Sequence, residues 1–94
     1  LPKDINLPAL ADPSATTVVF MGKRTFSQLQ KKLASQGLPD DTPALLAEAV
    51  STPQQKLTLT TIKELAQKLD KDISPKPALI FYGPLAEGYM DHEN

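Results

Sequence analysis

Pro43-Ala44-Leu45-Leu46-Ala47-Glu48-Ala49-Val50 is the stretch on which the fold turns. Its alanines, leucines and glutamate favour helix. The run is short, however, with Pro43 opening it and Ser51-Thr52-Pro53 closing it. Read as a strand, it completes a strand–helix–strand unit with the chain before it, and such units are right-handed and parallel.

The neighbouring segments support the strand. Downstream, Lys56-Leu57-Thr58-Leu59-Thr60 alternates apolar and polar residues, as a strand with one wet face does. The short turn around Pro53 makes it the antiparallel partner of the first stretch. Upstream, Phe26, Leu29 and Leu33 repeat at helical spacing, and Gly37 stands where a left-handed C-cap is wanted. Thr25 and Gln28 have the spacing of a capping box at the start of this helix. Before it, Thr16-Thr17-Val18-Val19-Phe20-Met21 is a continuous apolar run closed by Gly22, which predicts a strand buried on both faces.

Beyond the hairpin, Thr61 and Glu64 form a second capping box. The helix they open carries an apolar stripe of Ile62, Leu65, Ala66 and Leu69, with Lys68 and Lys71 near its negative end. Ser74-Pro75-Lys76-Pro77 breaks it, and Ala78-Leu79-Ile80-Phe81-Tyr82 is a last strand, closed by Gly83-Pro84. The order β-α-β-β-α-β predicts an α/β domain: a small mixed, mostly parallel four-stranded sheet with two covering helices. Residues 1–15, dotted by Pro2, Pro8 and Pro13, read as an extended linker, residues 16–86 as the domain and residues 87–94 as a frayed polar tail.

Composition narrows the chemistry. A net charge of −1 gives no electrostatic reason for a nucleic acid or an anionic membrane as partner, and no apolar run is long enough to span a bilayer. With no cysteine, disulfides and thiolate ligands are excluded, which fits a cytoplasmic protein. The single histidine, His92, lies in the tail, so neither a Ser-His-Asp arrangement nor a His-rich metal site is expected, and no catalytic residue is assigned. The four glycines match neither a dinucleotide fingerprint nor a P-loop. Open α/β sheets bind ligands beyond the carboxyl ends of parallel strands. On that rule Met21-Gly22, Glu48-Ala49-Val50 and Tyr82-Gly83 would share one rim, where glycines permit either a close ligand or a plain turn.

Several of these segments resemble the uroporphyrinogen-III C-methyltransferases, members of the tetrapyrrole methylases. Thr17–Gly22 is similar to that family's "LVFYMG" strand, and Gly37–Pro43 to its "G-x-P-x-D-T-P" turn. Glu48–Lys56 is similar to "E-N-A-T-R-P-D-Q-R", Pro77–Gly83 to "P-A-L-I-V-V-G", and Leu7–Ala11 to "W-A-A-L-A". The motifs keep order and spacing over roughly residues 7–85. The resemblance implies the C-terminal domain of a two-domain enzyme, lacking the N-terminal methylase domain with its Gly-rich loop, and inactive alone. It implies methyl transfer from S-adenosylmethionine to uroporphyrinogen III, giving precorrin-2 for siroheme and cobalamin, and a homodimeric parent. It places Met21, Gly22, Ala49, Val50, Pro77 and Ala78 against the methyl donor. Ala49 stands where the family commonly has Asn, Val50 where it has Gly or Ala, and Thr52 where it has Arg. These departures keep a second reading open, a stand-alone dimerisation or interaction module on the same fold.

Overall fold

The computed structural model describes residues 5–88. In chain order the elements are α1 (Leu7–Leu10), β1 (Thr17–Met21), α2 (Lys23–Ser35), β2 (Pro43–Glu48), β3 (Lys56–Thr61), α3 (Ile62–Asp70) and β4 (Ala78–Tyr82). The ambiguous Pro43 stretch is a strand, paired antiparallel with β3 as a hairpin.

The sheet is not mostly parallel. Its order is β1-β4-β2-β3, and every neighbouring pair is antiparallel. β1 and β2 do run in the same direction, but β4 lies between them. In the same way β3 and β4 run in the same direction with β2 between them. Each strand–helix–strand crossover therefore skips one lane. Helix and strand periodicities do not encode that skip, because they report faces and not neighbours.

The two helices share one face of the sheet. Phe26, Leu29 and Leu33 of α2 and Ile62, Leu65, Ala66 and Leu69 of α3 pack with Ala44, Leu46, Ala78, Ile80 and Tyr82. The apolar stripes read from the sequence are thus the core. Gly37 has φ +97° and ends α2 in a Schellman arrangement: the Leu38 amide donates to the Leu33 carbonyl at 3.1 Å and the Gly37 amide to Ala34 at 3.0 Å. Thr61 caps α3, its hydroxyl accepting from the Glu64 amide at 3.3 Å. The Glu64 carboxylate accepts from the Thr60 hydroxyl at 2.7 Å. The Thr25–Gln28 box does not form; α2 starts earlier, with Gly22 as N-cap and no side-chain cap.

The opening segment is not extended throughout. Asn6 caps the short α1 through its side chain, which accepts from the Ala9 amide. Ile5, Leu7 and Leu10 pack onto the core, and Ala11 is buried in it. The proline at Leu7-Pro8 sits at the start of α1, where its missing N–H costs nothing.

β1 is an edge strand and is buried on one face only. Val18 and Phe20, at 49% and 68% exposed, point away from the helices. β2, in an inner lane, is the strand buried on both faces. The helix-free face carries Val18 and Phe20 of β1, Leu79 and Phe81 of β4, Leu45 and Ala47 of β2, and Leu57 and Leu59 of β3. It is apolar across all four lanes. No helix among the described residues is long and apolar enough to cross a membrane. His92 and the rest of residues 89–94 lie outside the described residues.

Candidate functional site

Strand register decides which ends meet. Met21 pairs with Ala78, and Leu79 pairs with Ala47. The carboxyl ends of β1 and β2 and the amino end of β4 therefore share a rim. Because β4 is reversed, Tyr82-Gly83 lies on the opposite rim, and the three-strand-end grouping read from the sequence is corrected there. Gly83 serves the fold at that far rim: its amide donates to the Pro43 carbonyl at 2.9 Å.

On the shared rim lies a cleft of about 330 Å³. Phe20, Leu46 to Val50, and Lys76 to Leu79 wall it, with Lys23 at its side. Four of the six residues assigned from the sequence, Ala49, Val50, Pro77 and Ala78, come together here. The other two do not line it. Met21 packs its side chain towards the core, and Gly22 lines a neighbouring cleft of about 400 Å³ with Arg24, Thr25, Asp72 and Ser74. Phe20, Lys23 and Lys76 are wall residues that sequence reading missed. Phe20 follows from the pleat, since next to a core-facing Met21 it must face the other way. For Lys23 and Lys76 no local signal exists.

The turn after β2 carries backbone strain. Ala49 has φ +51° and Ser51 φ +66°, both left-handed and neither glycine. Side chains hold this shape. The Thr52 amide and hydroxyl both donate to the Ala49 carbonyl, at 3.1 and 2.7 Å, and the Ser51 amide donates to the Gln55 side-chain oxygen at 2.9 Å. Val50 is presented between the two strained residues, at the cleft. A left-handed residue other than glycine costs about 1–2 kcal/mol, and asparagine tolerates that region better than alanine. Ala49→Gly should therefore raise stability by about 0.5–1 kcal/mol after the added freedom of the unfolded chain is subtracted. Urea titration should show a higher midpoint at constant slope; a lower midpoint would contradict the strain.

Three charged residues, Lys23, Glu48 and Lys76, belong to the lining. The Lys23 ammonium donates to the Asp72 carboxylate at 2.9 Å. That hydrogen bond, followed by one from the Ser74 amide, holds the Asp72 carboxyl below its ordinary pKa. Among the described residues no three His, Cys, Asp or Glu side chains are grouped to hold a metal ion. The cleft can orient a ligand against apolar walls and strand-end backbone, and its titratable lining residues are Lys23, Glu48 and Lys76.

Comparison with known proteins gives a consistent picture. The chain is similar to the Tetrapyrrole (Corrin/Porphyrin) Methylases, whose family model matches residues 2–66. It is 39% identical over 77 residues to the chloroplastic S-adenosyl-L-methionine-dependent uroporphyrinogen III methyltransferase of Arabidopsis thaliana, over 82% of this chain and 21% of that protein. It is 31% identical to the uroporphyrinogen-III C-methyltransferase of Paracoccus denitrificans, over 88% of this chain and 29% of that protein. The fold superimposes on the uroporphyrin-III C-methyl transferase of Thermus thermophilus complexed with S-adenyl homocysteine, with a TM-score of 0.69 and 28% identity over 89% of this chain and 37% of that one. A cobalt precorrin-4 methyltransferase matches with a TM-score of 0.70 and 25% identity, over 88% of this chain and 35% of that one. The chain thus spans between 21% and 37% of the length of these relatives.

Proposed function

The chain belongs to the tetrapyrrole (corrin/porphyrin) methylases, and from that premise we propose that it is the C-terminal, S-adenosylmethionine-contacting half of a uroporphyrinogen-III C-methyltransferase. The observation that carries the reading is the meeting of Ala49, Val50, Pro77 and Ala78 around one apolar cleft. They come from two segments far apart in sequence, and both are segments that the family resemblance assigns to the methyl donor.

The residues present suit that ligand. Apolar walls from Phe20, Ala47 and Leu79 can take up the flat adenine, and among the charged lining residues Glu48 favours the sulfonium cation while Lys76 favours the ligand's carboxylate. S-adenosylmethionine supplies a methyl group already activated by its sulfonium. What this chain contributes is positioning, and holding reactants in line can supply much of a methyl transfer's acceleration. That role needs no acid–base group, and positioning alone is inadequate for the whole reaction. In this reading the tetrapyrrole and the remaining half of the site belong with an N-terminal methylase domain, the parent is a homodimer, and the chain alone is inactive. The apolar helix-free face, with Val18, Phe20 and Leu59 exposed, supports a neighbour packed on the sheet.

The test is a chimera in which residues 16–86 replace the matching segment of the Paracoccus denitrificans enzyme. It should bind S-adenosylhomocysteine in a calorimeter and form precorrin-2, whereas the 94-residue chain should do neither measurably. Tight binding by the chain alone would sink the half-site reading. One observation favours a second reading, a non-catalytic interaction module: the Val50 side chain lines the cleft where the family keeps Gly or Ala. If Val50 merely crowds the ligand, Val50→Ala in the chimera should tighten binding about tenfold, the usual scale for relieving an overpacked contact. A chimera that binds nothing with either residue supports the module.

A further inference from the structure

We propose that the Lys23–Asp72 ion pair is a clamp that positions the Lys76–Pro77 wall of the cleft, making Lys23 a positioning residue for the bound ligand. The inference rests on the reading of this cleft as the methyl-donor site.

Lys23 is the first residue of α2, directly after Met21-Gly22, and its side chain touches both clefts. It is 11% exposed, unusual for a lysine. Its place is electrostatically poor for the helix: a cation at a helix N-terminus faces the positive end of the dipole. Helix stability therefore does not explain a lysine there, and the Asp72 carboxylate at 2.9 Å offsets both the burial and the dipole.

From Asp72 the hydrogen bonds run on towards the cleft. The other carboxylate oxygen of Asp72 accepts from the Ser74 amide at 2.8 Å. The Ser74 hydroxyl accepts from the Lys76 amide at 3.3 Å. Lys76 and Pro77 are then cleft wall. The segment between α3 and β4 has no regular structure, and its one large apolar residue, Ile73, is 89% exposed. With no apolar anchor of its own, this segment depends on the polar chain that begins at Lys23. The clamp joins the first residue of α2 to the segment that leads into β4, beside the Met21–Ala78 pairing that fixes the strand ends themselves.

Two measurements separate the clamp from the ligand reading. In the 94-residue chain, Lys23→Met and Asp72→Asn should each speed hydrogen exchange of the Ser74 and Lys76 amides about tenfold, leaving β2 amides unchanged, as local opening does. In the chimera, Lys23→Met should weaken S-adenosylhomocysteine binding about tenfold. Lys23→Arg, which keeps a cationic donor for the Asp72 carboxylate and leaves the Ser74 acceptor in place, should leave both close to the parent. Unchanged exchange at Ser74 and Lys76 overturns the clamp. So does a uniform acceleration over all amides, since that would mark a general stability role. Faster exchange at those amides with unweakened binding in a ligand-competent chimera overturns the positioning role. If the unmutated chimera binds no S-adenosylhomocysteine, the site reading fails, and exchange at Ser74 and Lys76 still tests the clamp.

Discussion

Gly83→Ala is expected to abolish or nearly abolish folding. Gly83 has φ +131°, a conformation open to glycine and strained for any residue with a Cβ. A Cβ here would overlap the Ala15 carbonyl oxygen and stand 2.6 Å from the Thr16 Cα. Both are backbone atoms, so no rotamer change relieves the overlap. The segments involved are also tied together: the Gly83 amide donates to Pro43 and the Leu85 amide to the Thr16 hydroxyl. Strain of about 1–3 kcal/mol for the dihedral adds to the overlap. Against a total stability of about 5–15 kcal/mol, that is a large share. A circular dichroism melt should show either no cooperative transition or a midpoint lowered by about 15 °C or more. A midpoint within a few degrees of the parent would show that the β4 end has room to move.

Tyr82 should give the other large effect, in two separable parts. It ends β4, is 1% exposed, and its hydroxyl donates to the Leu10 carbonyl at 2.8 Å, across 72 residues of chain. Tyr82→Ala should cost about 3–5 kcal/mol, the range for removing a buried aromatic ring. Tyr82→Phe keeps the ring and leaves the Leu10 carbonyl without this donor, at about 1 kcal/mol. Urea titrations of both variants give the two numbers. Burial raises the Tyr82 pKa above its ordinary value. The neutral phenol is therefore the form the fold prefers. Its contribution is complete below the unfolded pKa of about 10 and is lost as pH rises past it. Tyr82→Phe should flatten the alkaline fall in stability. If Tyr82→Phe costs nothing and the alkaline limb is unchanged, the bond to α1 contributes little.

Tyr82 also shows where sequence reading stops. A proline-dotted opening carries no periodicity, so residues 5–11 read as linker. Their place under the last strand comes from a contact with Tyr82 that no local pattern announces. β1 misleads for the opposite reason. An unbroken apolar run signals two covered faces, but in the described residues helices cover only one, leaving Phe20 exposed. Ala49 lies between these cases. The resemblance marked it as a departure from Asn, and the backbone supplies the meaning, a left-handed turn residue that asparagine adopts more readily than alanine.

By itself the sequence determined the number and type of the main elements, the Phe26-Leu29-Leu33 and Ile62-Leu65-Leu69 core stripes, the Gly37 and Thr61 helix ends and the β2–β3 hairpin. These depend on side-chain spacing and on single-residue backbone preferences, which act within a few positions. Only the tertiary structure decided the lane order. By entering between β1 and β2, β4 made the sheet antiparallel, sent Gly83 to the far rim and brought Pro77 and Ala78 beside Ala49. It also put Lys23 within reach of Asp72, 49 positions away. Lane order follows from how two helices pack over a twisted sheet, an energy summed over contacts distant in the chain, and the period of a strand carries no record of which strand lies next to it.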